Sequence, residues 1–136
     1  MIREGQPGDW PRLRHIQAAT LSDPWPELLE LSLGEPSLVL VRETDEPIGY
    51  ALVVPDGDVA YLAEFAVAPA HQGEGHGTAL MNALLGRLTD DGIETVRLTA
   101  RADEERVHDF YRQFGFAVVD EVPDHYDDAD GLLFER

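Results

Sequence analysis

The sequence predicts an α+β fold: one mixed sheet of six to seven strands with about four helices packed against it. Three observations predict it. Short β-rich runs and amphipathic helical stretches follow one another in the order β-α-α-β-β-β-α-β-α-β-β. Turn-rich breaks around Asp45 and Pro47, and at Pro55 to Asp58, join strands as hairpins and call for antiparallel pairing. Strand-helix-strand units in the second half call for parallel pairing there. The 136 residues fit one domain, 1–136, around one core.

The elements justify themselves in order. Met1 to Glu4 reads as a short first strand. Asp9 is placed to cap a helix over Trp10 to Ala19, with Pro11 in its first turn and Leu13, Ile16 and Gln17 on one face. Asp23 is placed to cap a second, short helix in "DPWPELLELS", followed by Leu28, Leu29 and Leu31. Ser37 to Glu43 and Ile48 to Val54 form a hairpin. Val59 to Val67, "VAYLAEFAV", is apolar at both parities, so it belongs at the centre of the sheet with both faces covered. That strand runs out at Pro69, and "HQGEGHGTAL" then opens a helix to about Asp91, whose Leu80, Leu84, Leu85 and Leu88 share a face. "DGIETVRLTA" supplies a turn and a strand. In "DEERVHDFYRQFG", Val107, Phe110, Tyr111 and Phe114 recur at helical spacing and Gly115 stops the helix. "FAVVDEV" and "GLLFER" close the chain as strands joined by an acidic loop, "PDHYDDAD".

Composition narrows the function. Twenty-seven Asp and Glu face ten basic residues, all arginine, for a net charge of -17. Nucleic acid and anionic membranes would be repelled, so neither is expected as a partner. The acids are spread along the chain, which reads as a solubilising surface suited to high salt, where repulsion is screened within ~3 Å at 1 M. There is no cysteine, hence no thiol nucleophile or thiolate metal site. The first residues carry no apolar targeting segment, and no stretch approaches the ~20 apolar residues of a membrane span, so a cytoplasmic location is expected.

The chemistry points to His71–Leu80. A glycine-rich turn leads from a strand into a helix whose first N–H groups lack intrahelical partners and whose dipole makes that end partly positive. Glycines let a bulky anion reach the backbone. No lysine is present, which excludes a P-loop, and Gly73, Gly75 and Gly77 match a dinucleotide fingerprint poorly. The loop is preceded by Val67-Ala68-Pro69 and continues Gln72-Gly73-Glu74-Gly75-His76-Gly77. This resembles the acetyl-CoA-binding motif of the GNAT superfamily of N-acetyltransferases. "DEERVHDFYRQFGF" resembles the second family motif, in the expected place, and the element order matches over nearly the whole chain. The tail is also similar to that of ribosomal-protein N-terminal acetyltransferases.

The resemblance implies a mostly antiparallel mixed sheet and an acetyl-CoA-dependent N-acetyltransferase with no metal. It implies that Gln72, Gly73, Glu74, Gly75, His76, Gly77 and Thr78 wrap the pyrophosphate of CoA through backbone N–H groups. It implies that Phe65, Ala66 and Val67 hold the pantetheine arm, with a backbone N–H near Val67 available to the oxyanion. Tyr111 matches the family's general acid, though its place on an apolar helix face also fits a core aromatic. Glu64, the one charge in an apolar strand, is a candidate base through water, an attractor of the ammonium, or a strand-end residue facing solvent. His108 and Asp109 read as surface residues, and the spacing of His71 and His76 does not read as a metal site. Two acids depart from the family pattern: Glu74, where arginine or lysine is common, and Glu104, where an asparagine often contacts the cofactor. The acceptor expected is an amine, on a small molecule or a peptide N-terminus. Family members often dimerise, which makes a homodimer an open expectation. A non-catalytic CoA-binding domain and an acidic interaction protein are the competing readings.

Overall fold

The computed structural model describes residues 1–34 and 36–136. Seven strands, β1 (Ile2–Glu4), β2 (Val39–Glu43), β3 (Pro47–Asp56), β4 (Val59–Val67), β5 (Thr95–Arg101), β6 (Ala117–Tyr126) and β7 (Ala129–Glu135), form one sheet. Their order is β1-β2-β3-β4-β5-β7-β6. Every neighbouring pair is antiparallel except β4 and β5, which are parallel. Among the described residues the α-helices are α1 (Trp10–Thr20), α2 (Pro26–Ser32), α3 (His76–Asp90) and α4 (Glu105–Arg112). The mixed, mostly antiparallel α+β architecture expected from the sequence is therefore the one observed.

The sheet carries a core on each face. On one side α3 buries Leu80, Met81, Leu84, Leu85 and Leu88 against Ala51, Val53, Leu62, Leu98 and Phe134, and α4 packs Val107, Phe110 and Tyr111 against the same core. On the other, α1 and α2 bury Leu13, Ile16, Leu29 and Leu33 against Val39, Val41, Tyr50, Leu52 and Ala66. β3 alternates strictly between the two, Tyr50 and Leu52 one way, Ala51 and Val53 the other, as a period of two requires.

β4 does not alternate strictly. Its pairing with β3 slips between Leu52↔Glu64 and Val53↔Leu62, which leaves Ala63 as an extra residue. Such a bulge rotates the chain that follows it. Leu62 packs towards α3, whereas Ala63 and Glu64 both face the α1 side. The bulge also marks where β4 leaves β5: they pair at Val59↔Thr95, Ala60↔Val96 and Tyr61↔Arg97, and no further.

Several local expectations need correction. Asp9 precedes α1 but its side chain does not cap it; the carboxylate instead accepts from both terminal nitrogens of Arg3 and from the Gln6 N–H. That pairing outcompetes a neutral cap because both partners are charged. Asp23 does not cap α2, which starts at Pro26; it binds Arg101. Leu31 is exposed. β4 ends at Val67, and Pro69–His71 is a 3-10 turn. The acidic stretch "PDHYDDAD" is no open loop: β6 runs through Tyr126 and β7 starts at Ala129, so most of it is a hairpin. Its aspartates are exposed, and two of them are engaged: Asp128 pairs with Arg101 and Asp130 accepts from the Asp124 N–H.

Candidate active site

The parting of β4 and β5 opens a cleft of about 270 Å³. One wall is β4 from Leu62 to Val67, the other β5 from Leu98 to Arg101. Thr20–Asp23 at and beyond the end of α1, Glu104, Val107 and Tyr111 of the α4 region, and Tyr126 of β6 close it. On its β5 side, β4 beyond Tyr61 has no strand partner, so its main chain is available to an extended ligand such as a pantetheine arm. A larger groove of about 530 Å³, between the C-terminal half of α3 and Phe114, shares no residue with this cleft.

Gln72 joins the cleft to the glycine loop, and its side-chain amide donates to the Val67 carbonyl at 2.9 Å. Gly73 and Gly75 have φ of 79° and 88°, a left-handed conformation that costs other residues roughly 1–2 kcal/mol. Gly75 is the N-cap of α3 and brings no capping side chain. The first intrahelical bond runs from Ala79 N to Gly75 O. The amides of His76, Gly77 and Thr78 thus face outward at the positive end of a 15-residue helix. Gly77 serves a second purpose: a Cβ there would stand 3.4 Å from the Phe110 ring of α4.

The acid in this loop is internally occupied. Glu74 Oε1 lies 3.3 Å from His71 Nδ1 and 3.4 Å from His76 Nε2. Arg42 of β2 donates to His76 Nδ1 at 3.2 Å, which places the ring proton on Nε2, towards Glu74. The ligand atoms of these three residues lie within 4.8 Å of one another, yet the His76 lone pair is taken by Arg42, so the arrangement closes on itself as a hydrogen-bonded cluster. Glu74 is half exposed and has two imidazoles beside it, so it does not have to confront a pyrophosphate alone.

Tyr111 packs its ring against Phe110, Phe116 and Phe134, at centroid distances of 5.6, 5.8 and 6.1 Å. Its ring is thus part of the core, as the apolar helix face led us to expect, and the residue also lines the cleft. Among the described residues its hydroxyl has no hydrogen-bond partner. Burial, and then the charge of Glu104, push its pKa well above the usual tyrosine value.

Glu64 differs from the expectation of a solvent-facing or water-linked carboxylate. It is 7% exposed. Oε1 accepts from Gln17 Nε2 at 2.8 Å and from the Tyr50 hydroxyl at 3.0 Å, and Oε2 accepts from the Trp25 N–H at 2.9 Å. The bulge in β4 turns it to this side. It ties α1, β3 and the start of α2 together. His108 is also buried, not a surface residue: its Nε2 is 2.7 Å from the Arg101 carbonyl, and its ring lies against Phe134. Asp109 is exposed, as expected.

Two cleft residues escaped the sequence reading. Arg101 is bound by Asp128 at 2.8 Å, Asp23 at 3.1 Å and Asp103 at 3.2 Å, with Glu104 at 3.7 Å. Its guanidinium also lies 5.4 Å from the Tyr126 ring centroid, a cation–π distance. Tyr126 donates to the Thr99 carbonyl, and its pKa is pushed up to about 12, chiefly by burial. One arginine so joins the segment after α1, the turn into α4 and the β6–β7 hairpin. The only signal in the sequence was a lone arginine among acids, too common a pattern to single out.

Two outcomes test the loop. Gly75→Ala weakens CoA binding and costs about 1–2 kcal/mol of stability, because alanine resists the left-handed conformation there; calorimetry and thermal melting measure both. CoA affinity holds or rises as KCl goes from about 0.1 to about 1 M, since salt screens the acids more than the backbone amides. A steep fall in titrations across that range would contradict backbone-dominated binding.

Comparison with known proteins agrees with this geometry. The family model for the acetyltransferase (GNAT) family matches residues 4–116. The [ribosomal protein bS18]-alanine N-acetyltransferase of Haemophilus influenzae is 30% identical over 125 residues, covering 90% of this chain and 85% of the relative. Ard1 from Thermoplasma volcanium superposes with a TM-score of 0.92 at 26% identity, over 100% of this chain and 95% of that one. The PaiA N-acetyltransferase of Thermoplasma acidophilum, solved with coenzyme A, shares the fold with a TM-score of 0.81 at 19% identity, over 100% and 97% of the two chains. The splayed strands, the bare helix N-terminus and the matched motifs lead to one conclusion: this chain belongs to the acetyltransferase (GNAT) family and is an N-acetyltransferase that uses acetyl-CoA as cosubstrate.

Proposed function

We propose that the protein acetylates the α-amine of a polypeptide N-terminus, by direct attack of the amine on the thioester. The observation that carries this is Tyr111, which lines the cleft where β4 and β5 part and whose hydroxyl has no hydrogen-bond partner among the described residues. The amides of α3 hold the pyrophosphate and the free edge of β4 holds the pantetheine arm. A backbone N–H near Val67 steadies the oxyanion. Tyr111 protonates the departing thiolate. An α-amine, with pKa of about 8, is neutral far more often at physiological pH than a lysine of about 10.4, which suits a cleft without a strong base. The name of the Haemophilus relative, which denotes an alanine N-acetyltransferase, supports the same class of acceptor.

The test is release of CoA thiol from acetyl-CoA in the presence of peptides with free N-termini, beside lysine-containing peptides with blocked N-termini, polyamines and small amines. Free N-termini are expected to react fastest. Tight CoA binding with no turnover on any acceptor would favour the non-catalytic reading. Faster reaction of polyamines or lysine side chains would replace the proposed acceptor.

A further inference from the structure

Glu64 is closed in by three donors, which leaves the proton of the acceptor's ammonium without an obvious destination. The cleft offers one other carboxylate that is neither enclosed nor locked. Glu104 stands at the N-cap of α4, where a side-chain carboxylate could turn back onto the helix amides. Here it makes no such bond. It turns to the cleft, where Oε1 lies 3.5 Å from Ser22 Oγ, 3.7 Å from Arg101 Nε, and its side chain stays 38% exposed. Asp23, by contrast, is bound by Arg101 at 3.1 Å.

We infer that Glu104 receives the acceptor's ammonium and takes its proton, and that Arg101 positions it for that task. This rests on the acetyl-transfer reading above. The groups facing Glu104 are Arg101 of β5, Asp103 beside it, Asp23 from the segment after α1, Tyr111 of α4, and Tyr126 and Asp128 of the β6–β7 hairpin. Arg101 divides its charge among four carboxylates, so Glu104 at the longest of these contacts stays available to a second cation. Glu104 and Tyr111 line one cleft, and the charge of Glu104 helps keep the phenol protonated. A carboxylate and a protonated phenol facing one substrate make a base and acid pair with separated roles.

The ammonium gives one proton to Glu104, which passes it to water. The neutral nitrogen attacks the thioester carbonyl and a C–N bond forms. The C–S bond then breaks and the thiolate takes the Tyr111 proton. The surplus proton on nitrogen passes through Glu104 and restores Tyr111. One proton reaches solvent per turnover.

Glu104→Gln is tested with acetyl-CoA and an alanine-initiated peptide from about pH 6 to about pH 9.5, a range spanning the α-amine's own pKa of about 8. At the acid end kcat/KM for the peptide falls about 10²-fold, within the usual range for a positioned acid-base group. The deficit shrinks as the free amine supplies itself at higher pH. CoA affinity by calorimetry and the melting temperature stay at wild-type values. Glu104→Asp retains an intermediate rate. Arg101→Met raises KM for the peptide more than it lowers kcat. A deficit equal at every pH, or one explained by lost CoA affinity, would overturn the assignment and return Glu104 to a cofactor contact. Unchanged turnover in Glu104→Gln overturns it too, leaving the proposed function intact. A wild-type enzyme inert to every free N-terminus overturns both.

Discussion

Tyr111→Phe lowers kcat about a hundredfold or more and leaves the CoA dissociation constant within about twofold of wild type. The hydroxyl is the only atom removed. The ring keeps its contacts with Phe110, Phe116 and Phe134, so the helix stays seated. Loss of the proton donor then acts on thiolate departure and not on cofactor binding. Initial rates with saturating acetyl-CoA, beside calorimetry with CoA, separate the two. The pH dependence carries a second signature. Burial raises the Tyr111 pKa, which favours the protonated form and extends it to higher pH. Activity should therefore show no alkaline fall due to Tyr111 at or below the ordinary tyrosine value of about 10. A wild-type alkaline limb below that pH which disappears in Tyr111→Phe would contradict the environment described. Equal turnover of the two proteins would remove Tyr111 from the chemistry.

Glu64→Ala acts on stability first. Gln17 and Tyr50, both fully buried, and the Trp25 N–H would lose their shared acceptor. Buried donors left unpaired cost about 1–3 kcal/mol each, and with partial relaxation about 3 kcal/mol in total is expected. For a chain of this size that lowers Tm by about 10 °C. At temperatures where the variant remains folded, turnover per folded molecule falls less than about tenfold, short of what removal of a general base produces. Thermal melts followed by rates well below the transition measure both quantities. An unchanged Tm with a rate loss of about a hundredfold or more would restore Glu64 as the base.

These two residues show how far the sequence could be read. The motif and the helical spacing of Val107, Phe110 and Phe114 single out Tyr111, and the structure sets that residue in the wall of the cleft. Glu64 was noticed for the right reason, a charge in an apolar strand. Its partners were not legible, because Gln17 and Tyr50 lie 47 and 14 residues away in sequence and the bulge at Ala63 decides which face it takes. Strict alternation would have put Glu64 beside Leu62, towards α3. His108 was misplaced for a related reason. An imidazole beside Asp109 and two residues from Arg106 looks like surface until the Arg101 carbonyl, seven residues earlier, supplies a buried partner.

The order of strands and helices, the glycine loop and the acid-rich surface follow from local preference and from charge, both written residue by residue. They were enough to give the mixed sheet, the uncapped glycine turn into α3 and the family resemblance. The tertiary structure alone decided where β4 parts from β5, which carboxylate is enclosed and which is open, and that Arg101 gathers three chain segments around the cleft. Those outcomes depend on a register slip and on pairings between residues far apart in the chain, and such contacts have no local pattern to betray them.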